Sequence, residues 1–191
     1  MTGDLAIGAD GRARCFWGGS SPEYAVYHDT EWGKPVRGDD ALFERLTLEA
    51  FQSGLSWITI LRRREGFRAA FAGFEIAKVA TFGEADRDRL LLDPRIIRNR
   101  AKIDATMANA RVLAEWSPGE LDELIWSHAP TSHAVPRTLA DVPAVTAEST
   151  ALSKALKKRG LRFVGPTTAY ALMQACGLVD DHLETCVARS R

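Results

Sequence analysis

Four residues able to ligate a metal stand in two pairs at opposite ends of the sequence, Cys15 with His28 and His182 with Cys186. A single tetrahedral Zn²⁺ taking all four would close a loop of roughly 150 residues and bring both ends of the fold to one point. No other feature would restrict the topology as much. The supply is small, three Cys and four His, so the pattern leaves over only Cys176, His128 and His133. On a helix, positions i and i+4 face the same way, and His182 and Cys186 would then chelate together. The gap between Cys15 and His28 has no such period. A lone His or Cys is more often a packed core residue, and these gaps differ from those of zinc fingers, so spacing alone leaves both readings open.

The 191 residues suffice for one domain with a substantial core. Hydrophobic residues at 46% and charged residues at 26% describe an ordinary globule. There is no apolar run of membrane-spanning length and no signal-peptide pattern, and an odd number of cysteines suits a reducing compartment. The expectation is a cytoplasmic monomer: a domain at residues 14–191, preceded by a flexible Gly- and Asp-containing tail at 1–13. Formal net charge is zero, so a polyanionic partner has to be held by a local patch. Three stretches qualify: Arg62 to Arg64; Arg95, Arg98, Arg100 and Lys102; and Lys154, Lys157, Lys158, Arg159 and Arg162. Each taken alone is more often a solvated helix face.

The periodicity is helical throughout, and no alternating strand pattern of useful length occurs. Asp39 or Asp40 caps a helix running to about Ser53, where Gly54 ends it, and Ser56 caps the next. Residues 95–116 show Ile96, Ile103, Met107 and Ala110 at helical spacing, and Ser117 to Glu120 reads as a capping box. Residues 130–145 are rich in Pro and Thr and read as a long surface loop. A helix then runs to about Arg159, Gly160 stops it, and Pro166 opens another that ends at Gly177. The fold class is all-α.

Two segments suggest chemistry. In Lys157-Lys158-Arg159-Gly160-Leu161-Arg162-Phe163-Val164-Gly165-Pro166-Thr167-Thr168, a glycine-bounded turn joins two helices. The second helix offers unpaired N–H groups and partial positive charge to a phosphate, with basic side chains alongside. This resembles a helix-hairpin-helix, which grips a DNA backbone without reading sequence; an ordinary αα-hairpin is the bland alternative. In the helix before Gly54, Leu42, Leu46 and Glu49 fall at i, i+4 and i+7, which sets a carboxylate on the apolar face. Burying it unpaired costs several kcal/mol, so it is either partnered or raised in pKa, unless it reaches solvent at the edge of the stripe. Trp17, Tyr24, Tyr27, Trp32 and Trp57 supply aromatic faces for a planar cation beside that acid.

Together, Cys15-Phe16-Trp17, Tyr27-His28-Asp29-Thr30-Glu31-Trp32-Gly33, Leu48-Glu49-Ala50-Phe51-Gln52-Ser53-Gly54-Leu55-Ser56-Trp57-Ile58-Thr59, Ala155-Leu156-Lys157-Lys158-Arg159-Gly160 and Met173-Gln174-Ala175-Cys176-Gly177 closely resemble the DNA-3-methyladenine glycosylase I family, over about residues 14–187. The resemblance implies a helix-hairpin-helix bundle clamped by one structural Zn²⁺ on Cys15, His28, His182 and Cys186. It implies a monofunctional glycosylase that flips 3-methyladenine out of alkylated double-stranded DNA and hydrolyses it away, leaving an abasic site in base excision repair. Glu49 matches the acidic residue of the base pocket, Tyr27 and Trp17 its aromatics, and Trp57 its stacking tryptophan; Tyr24 and Trp32 also fall on aromatic positions of the family.

DNA contacts are expected from Lys158, Gly160, Arg162, Gly165 and Thr167 of the hairpin, with Leu55 plugging the gap in the duplex. No Lys is placed near Glu49, which argues against a Schiff-base lyase. One departure is Asp180, where the family commonly has Asn: it either caps the metal-bearing helix or faces DNA and supports the developing positive sugar. The rival function is a zinc-stabilised, non-catalytic binder or sensor of alkylated DNA, against which the carboxylate on an apolar face counts.

Overall fold

The computed structural model describes residues 3–189; Met1 and Thr2 of the expected tail, and Ser190 and Arg191 at the end of the expected domain, lie outside the described residues. Ten α-helices occur among them: α1 (Pro22–Thr30), α2 (Asp39–Gln52), α3 (Trp57–Leu61), α4 (Arg64–Ala70), α5 (Ile76–Ala80), α6 (Glu84–Leu92), α7 (Arg100–Ala114), α8 (Glu120–Trp126), α9 (Ala147–Lys158) and α10 (Pro166–Ala175). The all-α reading needs one addition. Strands β1 (Leu5–Ile7) and β2 (Ala13–Cys15) pair antiparallel, with Leu5 opposite Cys15 and Ile7 opposite Ala13. An irregular tail is expected there because three-residue strands are too short to show an alternating pattern. The hairpin is fastened by Arg14, whose buried guanidinium bonds Asp10 at 2.7 Å and Asp29 of α1 at 2.8 Å.

Helix α2 runs through the centre. Its first half buries one stripe, Leu42, Phe43 and Leu46, but every residue from 46 to 51 is buried, so the helix enters the core as it proceeds. Asp39 and Asp40 do not cap their own helix, whose N-cap is Gly38. Asp39 instead accepts from the Gly119 and Asp122 amides at the start of α8, at 2.8 and 2.9 Å, and Asp122 accepts from the Gly38 amide at 2.7 Å. Each helix therefore caps the other's orphan N–H groups. Glu120 takes the Ser117 amide at 2.8 Å, one half of the expected capping box.

Phenylalanines fill the centre: Phe51 meets Phe67 at 4.8 Å between centroids, Phe71 meets Phe74 at 5.6 Å, and Phe43 meets Phe74 at 6.0 Å. All five are fully buried, each contributing about 1.5–3 kcal/mol by leaving water. The helix read over 95–116 starts only at Arg100, with Asn99 accepting from the Lys102 amide as its N-cap. Helix α10 packs on both α9 and α2, which brings the hairpin helices against the central one. Gly160 has φ +94, ending α9 as the sequence suggests. Gly177, at φ +72, is needed for a second reason: a Cβ there would lie 2.5 Å from the Lys34 carbonyl carbon. The backbone of residues 33–36 runs along the end of α10, where Gly33 and Val36 donate to the Gln174 and Cys176 carbonyls. No helix among the described residues is long and apolar enough to cross a membrane.

Candidate active site

A cleft of about 400 Å³ opens beside α2, walled by Trp17, Tyr24, Tyr27, Trp32 and Trp57, with Glu49 in its lining. Ser21 and Pro22 begin α1 in ordinary fashion, the Ser21 hydroxyl accepting from the Tyr24 amide at 3.2 Å. That helix sets Tyr24 and Tyr27 on one side, three positions apart. Trp17 stands edge-on to Tyr24 at 5.4 Å and to Trp32 at 5.0 Å, and Tyr27 meets Trp57 at 5.4 Å. The Tyr24 hydroxyl is committed to the fold, since it accepts from the Ile58 amide in the first turn of α3 at 2.9 Å. Trp57 Nε1, by contrast, is buried with no hydrogen-bond partner among the described residues.

Glu49 is 6% exposed, and no protein group among the described residues hydrogen-bonds its carboxylate. Burial pushes its pKa up to about 8, opposed only by Arg45 one helical turn earlier. Of the outcomes open in the sequence, partnered, raised in pKa or reaching solvent, the second holds: the carboxyl is buried, and Arg45, whose Nη2 bonds Glu31 at 3.1 Å, makes no hydrogen bond to it. Burial, and after it the neighbouring Glu49, also raise the Tyr27 phenol well above its ordinary range.

The end pairs meet in part. Sγ of Cys15, a ring nitrogen of His28 and Sγ of Cys186 lie within 4.8 Å of one another, all three residues buried, with Cys186 Sγ 3.4 Å from His28 Nε2. His28 Nδ1 faces Asp29 Oδ1 at 2.8 Å, a carboxylate that fixes the ring as second partners of metal-bound histidines do. The Cys15 thiol is held high by its hydrogen bond to Cys186 and by burial, while the same bond pulls the Cys186 thiol down. Two thiols and an imidazole in a buried niche are a donor set that suits Zn²⁺.

His182, the fourth residue named from the sequence, does not offer a nitrogen to this group. Residues 177–189 form turns rather than a helix, so the i, i+4 argument fails. His182 packs edge-on to His28 at 4.6 Å, its Nδ1 facing Asp180 at 2.7 Å and its Nε2 the His28 carbonyl at 3.1 Å. Asp180 therefore neither caps a helix nor stands free: it holds His182. Trp17 and Trp32 serve both regions, contacting His28 at 5.0 Å and His182 at 4.7 Å between ring centroids.

The residues assigned to DNA occupy two surface features. Gly54, at φ +82, turns the chain after α2 and leaves Leu55 38% exposed. In the hairpin Lys158, Gly160, Arg162 and Thr167 are exposed and Gly165 is the N-cap of α10. Pro166 follows, so the Thr167 and Thr168 amides have no intrahelical partner. Asn109 anchors the turn by bonding both the Arg162 amide and its carbonyl, at 2.8 and 3.1 Å. Arg159 leaves the basic patch, being ion-paired to Glu120 and stacked 3.8 Å over Trp116. Lys102 likewise leaves the stretch of Arg95, Arg98 and Arg100: it is buried, and its ammonium bonds backbone carbonyls at the end of α2. Periodicity gave no sign of this, because it places Lys102 on its helix without saying what the helix packs against.

Comparison with known proteins assigns the chain to a family. The methyladenine glycosylase family model matches residues 17–189. DNA-3-methyladenine glycosylase 1 of Escherichia coli K12 is 48% identical over 177 residues, covering 91% of this chain and 95% of its own, and DNA-3-methyladenine glycosylase of Haemophilus influenzae is 47% identical over 182 residues, covering 93% and 98%. A crystal structure of a 3-methyladenine DNA glycosylase I superposes with TM-score 0.86 at 43% identity, over 93% of this chain and 100% of that one. The Staphylococcus aureus enzyme, solved to define 3-methyladenine recognition, superposes with TM-score 0.83 at 35% identity, over 91% and 95%.

Proposed function

Because this chain belongs to the methyladenine glycosylase family and is a DNA glycosylase, we propose that it extrudes 3-methyladenine from alkylated duplex DNA into the aromatic cleft and hydrolyses it from its sugar, with Glu49 as the residue that distinguishes the damaged base. The observation carrying this reading is a buried carboxylate with no protein partner inside a cage of aromatic rings. Methylation at N3 makes the base cationic and its glycosidic bond weak, so the leaving group needs little acid catalysis. A cation entering the cleft supplies the charge that Glu49 lacks; in a low dielectric that attraction is strong, and neutral adenine does not receive it. Trp17, Tyr27 and Trp57 add stacking faces, each worth about 1–3 kcal/mol against a base. Near neutral pH Glu49 is largely protonated before the base arrives, with a pKa of about 8, so docking a cation releases its proton.

Flipping is cheaper for a lesion that pairs and stacks poorly. Leu55 fills the space left behind, and the hairpin amides, Lys158 and Arg162 hold the backbone. Cys15, His28 and Cys186 would bind one Zn²⁺, with His182 beside them, and the ion would contribute structure, tying the Trp17 to Trp32 segment to the C-terminal end. The decisive experiment is release of 3-methyladenine from alkylated DNA by the purified protein, with Glu49→Gln alongside. Binding of alkylated DNA without base release would instead identify a sensor. Unchanged affinity of Glu49→Gln for free 3-methyladenine would remove Glu49 from recognition.

A further inference from the structure

We propose that Gln174 determines which edge of a purine the cleft accepts, because Asp181 fixes its side-chain amide so that the oxygen faces the bound base and takes a hydrogen bond from the exocyclic amine. The proposal rests on the reading of the cleft as a base pocket and adds a specificity element on the wall formed by α10. Gln174 belongs to that wall, with Ala171 one turn earlier. Its side-chain nitrogen lies 2.8 Å from Asp181 Oδ2. The same oxygen receives the Tyr170 hydroxyl at 2.7 Å, and the other carboxylate oxygen faces His133 Nε2 at 2.7 Å.

Asp181 is 2% exposed, and its three neighbours leave it one position. A carboxylate only accepts, so the face of Gln174 turned toward it must be its NH₂. The amide plane then sends Oε1 away from Asp181. No protein donor reaches that oxygen among the described residues, and it is not a sealed unsatisfied atom. It is therefore an acceptor on the lining of the cleft. The backbone of Gln174 has a separate duty, its carbonyl receiving the Gly33 amide at 3.0 Å.

His133 extends the arrangement. It is one of the histidines left over when the end pairs are assigned, and it lies in the long segment before α9. By meeting Asp181 it fastens the chain that brings Leu139 and Val142 to the cleft. One buried carboxylate thus holds the loop side of the pocket and sets the polarity of the α10 side. An adenine presents an amine at C6, which suits an acceptor. A guanine or hypoxanthine presents a carbonyl there, and two acceptors facing each other leave both unpaired in a desolvated site.

The test is calorimetric titration with two free bases, 3-methyladenine and 3-methylhypoxanthine, which differ at C6. The wild-type protein is expected to favour the amine by about tenfold or more, the factor of one net hydrogen bond. Gln174→Leu should abolish the preference by weakening 3-methyladenine alone. Asp181→Ala, which removes the acceptor and leaves the Gln174 amide free to present either end, should shrink the preference; it decides the matter separately should Gln174→Leu not fold. Equal affinity of the wild type for the two bases, or an undiminished preference in either folded variant, overturns the assignment to Gln174 and leaves the base pocket standing. Failure of the wild type to bind either base overturns the pocket reading and this one with it.

Discussion

The Lys102 ammonium lies 2.8 Å from the Phe51 carbonyl oxygen and 2.7 Å from that of Ser53, so a side chain of α7 caps the C-terminal end of α2. A cation there satisfies carbonyls that the helix leaves unpaired and opposes the negative end of its dipole. The turn it holds begins three residues after Glu49 and presents Leu55, so one buried lysine fixes the end of the helix bearing the acid and the start of the loop aimed at DNA.

Lys102→Met should leave the buried Phe51 carbonyl without this donor, along with that of the more exposed Ser53, and cost about 1–3 kcal/mol. Urea unfolding measures the loss, and an unchanged midpoint would contradict the capping role. Excision from duplex DNA should fall further than affinity for the free base, because the loop is loosened and the aromatic walls are not.

Glu49 should make the protein less stable as pH rises. Its carboxyl has a folded pKa of about 8 against an ordinary value of 4.5, so between those limits the native state holds a proton that the unfolded chain has lost. Stability then declines from pH 4.5 to 8 and levels off above. Glu49→Gln removes this decline and should exceed the wild type at pH 8 by on the order of 1–3 kcal/mol while being less able to hold the cationic base. Parallel stability curves for the two proteins across that range would refute a buried, unpaired acid.

Purified protein should contain about one equivalent of zinc, measured by elemental analysis, and Cys186→Ser should lose it. Asp29→Asn, which weakens the hold on His28, should lower metal affinity about 10–100-fold. Removing the ion should lower the thermal midpoint and the affinity for 3-methyladenine together, since Trp17 and Trp32 touch the histidines. Metal-free protein with full stability would exclude the structural role.

The two arginines of the hairpin region should separate in a salt titration. Arg162→Ala should weaken DNA binding uniformly and reduce the slope of log K against log salt by about 1. Arg159→Ala should leave that slope alone and destabilise the fold, because its charge is spent on Glu120 and its plane on Trp116. Equal slopes for both variants would show that the division is wrong.

The hairpin and α2 were readable because their signals are local: Gly160, Pro166 and Gly177 punctuate the chain, and the Leu42, Leu46, Glu49 period names a face. The strands at residues 5–15 were not, since three-residue strands have too few positions to establish a period. His182 lies beside His28, but the helix that the spacing suggests there does not form, and its ring is turned by Asp180, a relation between neighbours that spacing does not encode. Asp39 and Asp122 look like ordinary caps in sequence, yet each serves the other's helix, a fact of packing. The same holds for Lys102, whose charge suggested a surface it never reaches, and for Gln174, whose importance is legible only once Asp181 is beside it.

The amide of Val187 donates to the carbonyl of Ala13 at 2.8 Å, and Cys15 packs with Leu183 and Cys186. The segment that supplies Trp17, Tyr24 and Tyr27 to the cleft therefore has its anchor beyond α10, at residues 183–187. During synthesis that segment emerges before α2 to α10 and its partner after them, so its anchoring waits for the whole of that stretch. A chain made only as far as α10 therefore holds Glu49 in its core helix while the segment bearing Trp17, Tyr24 and Tyr27 still lacks its anchor.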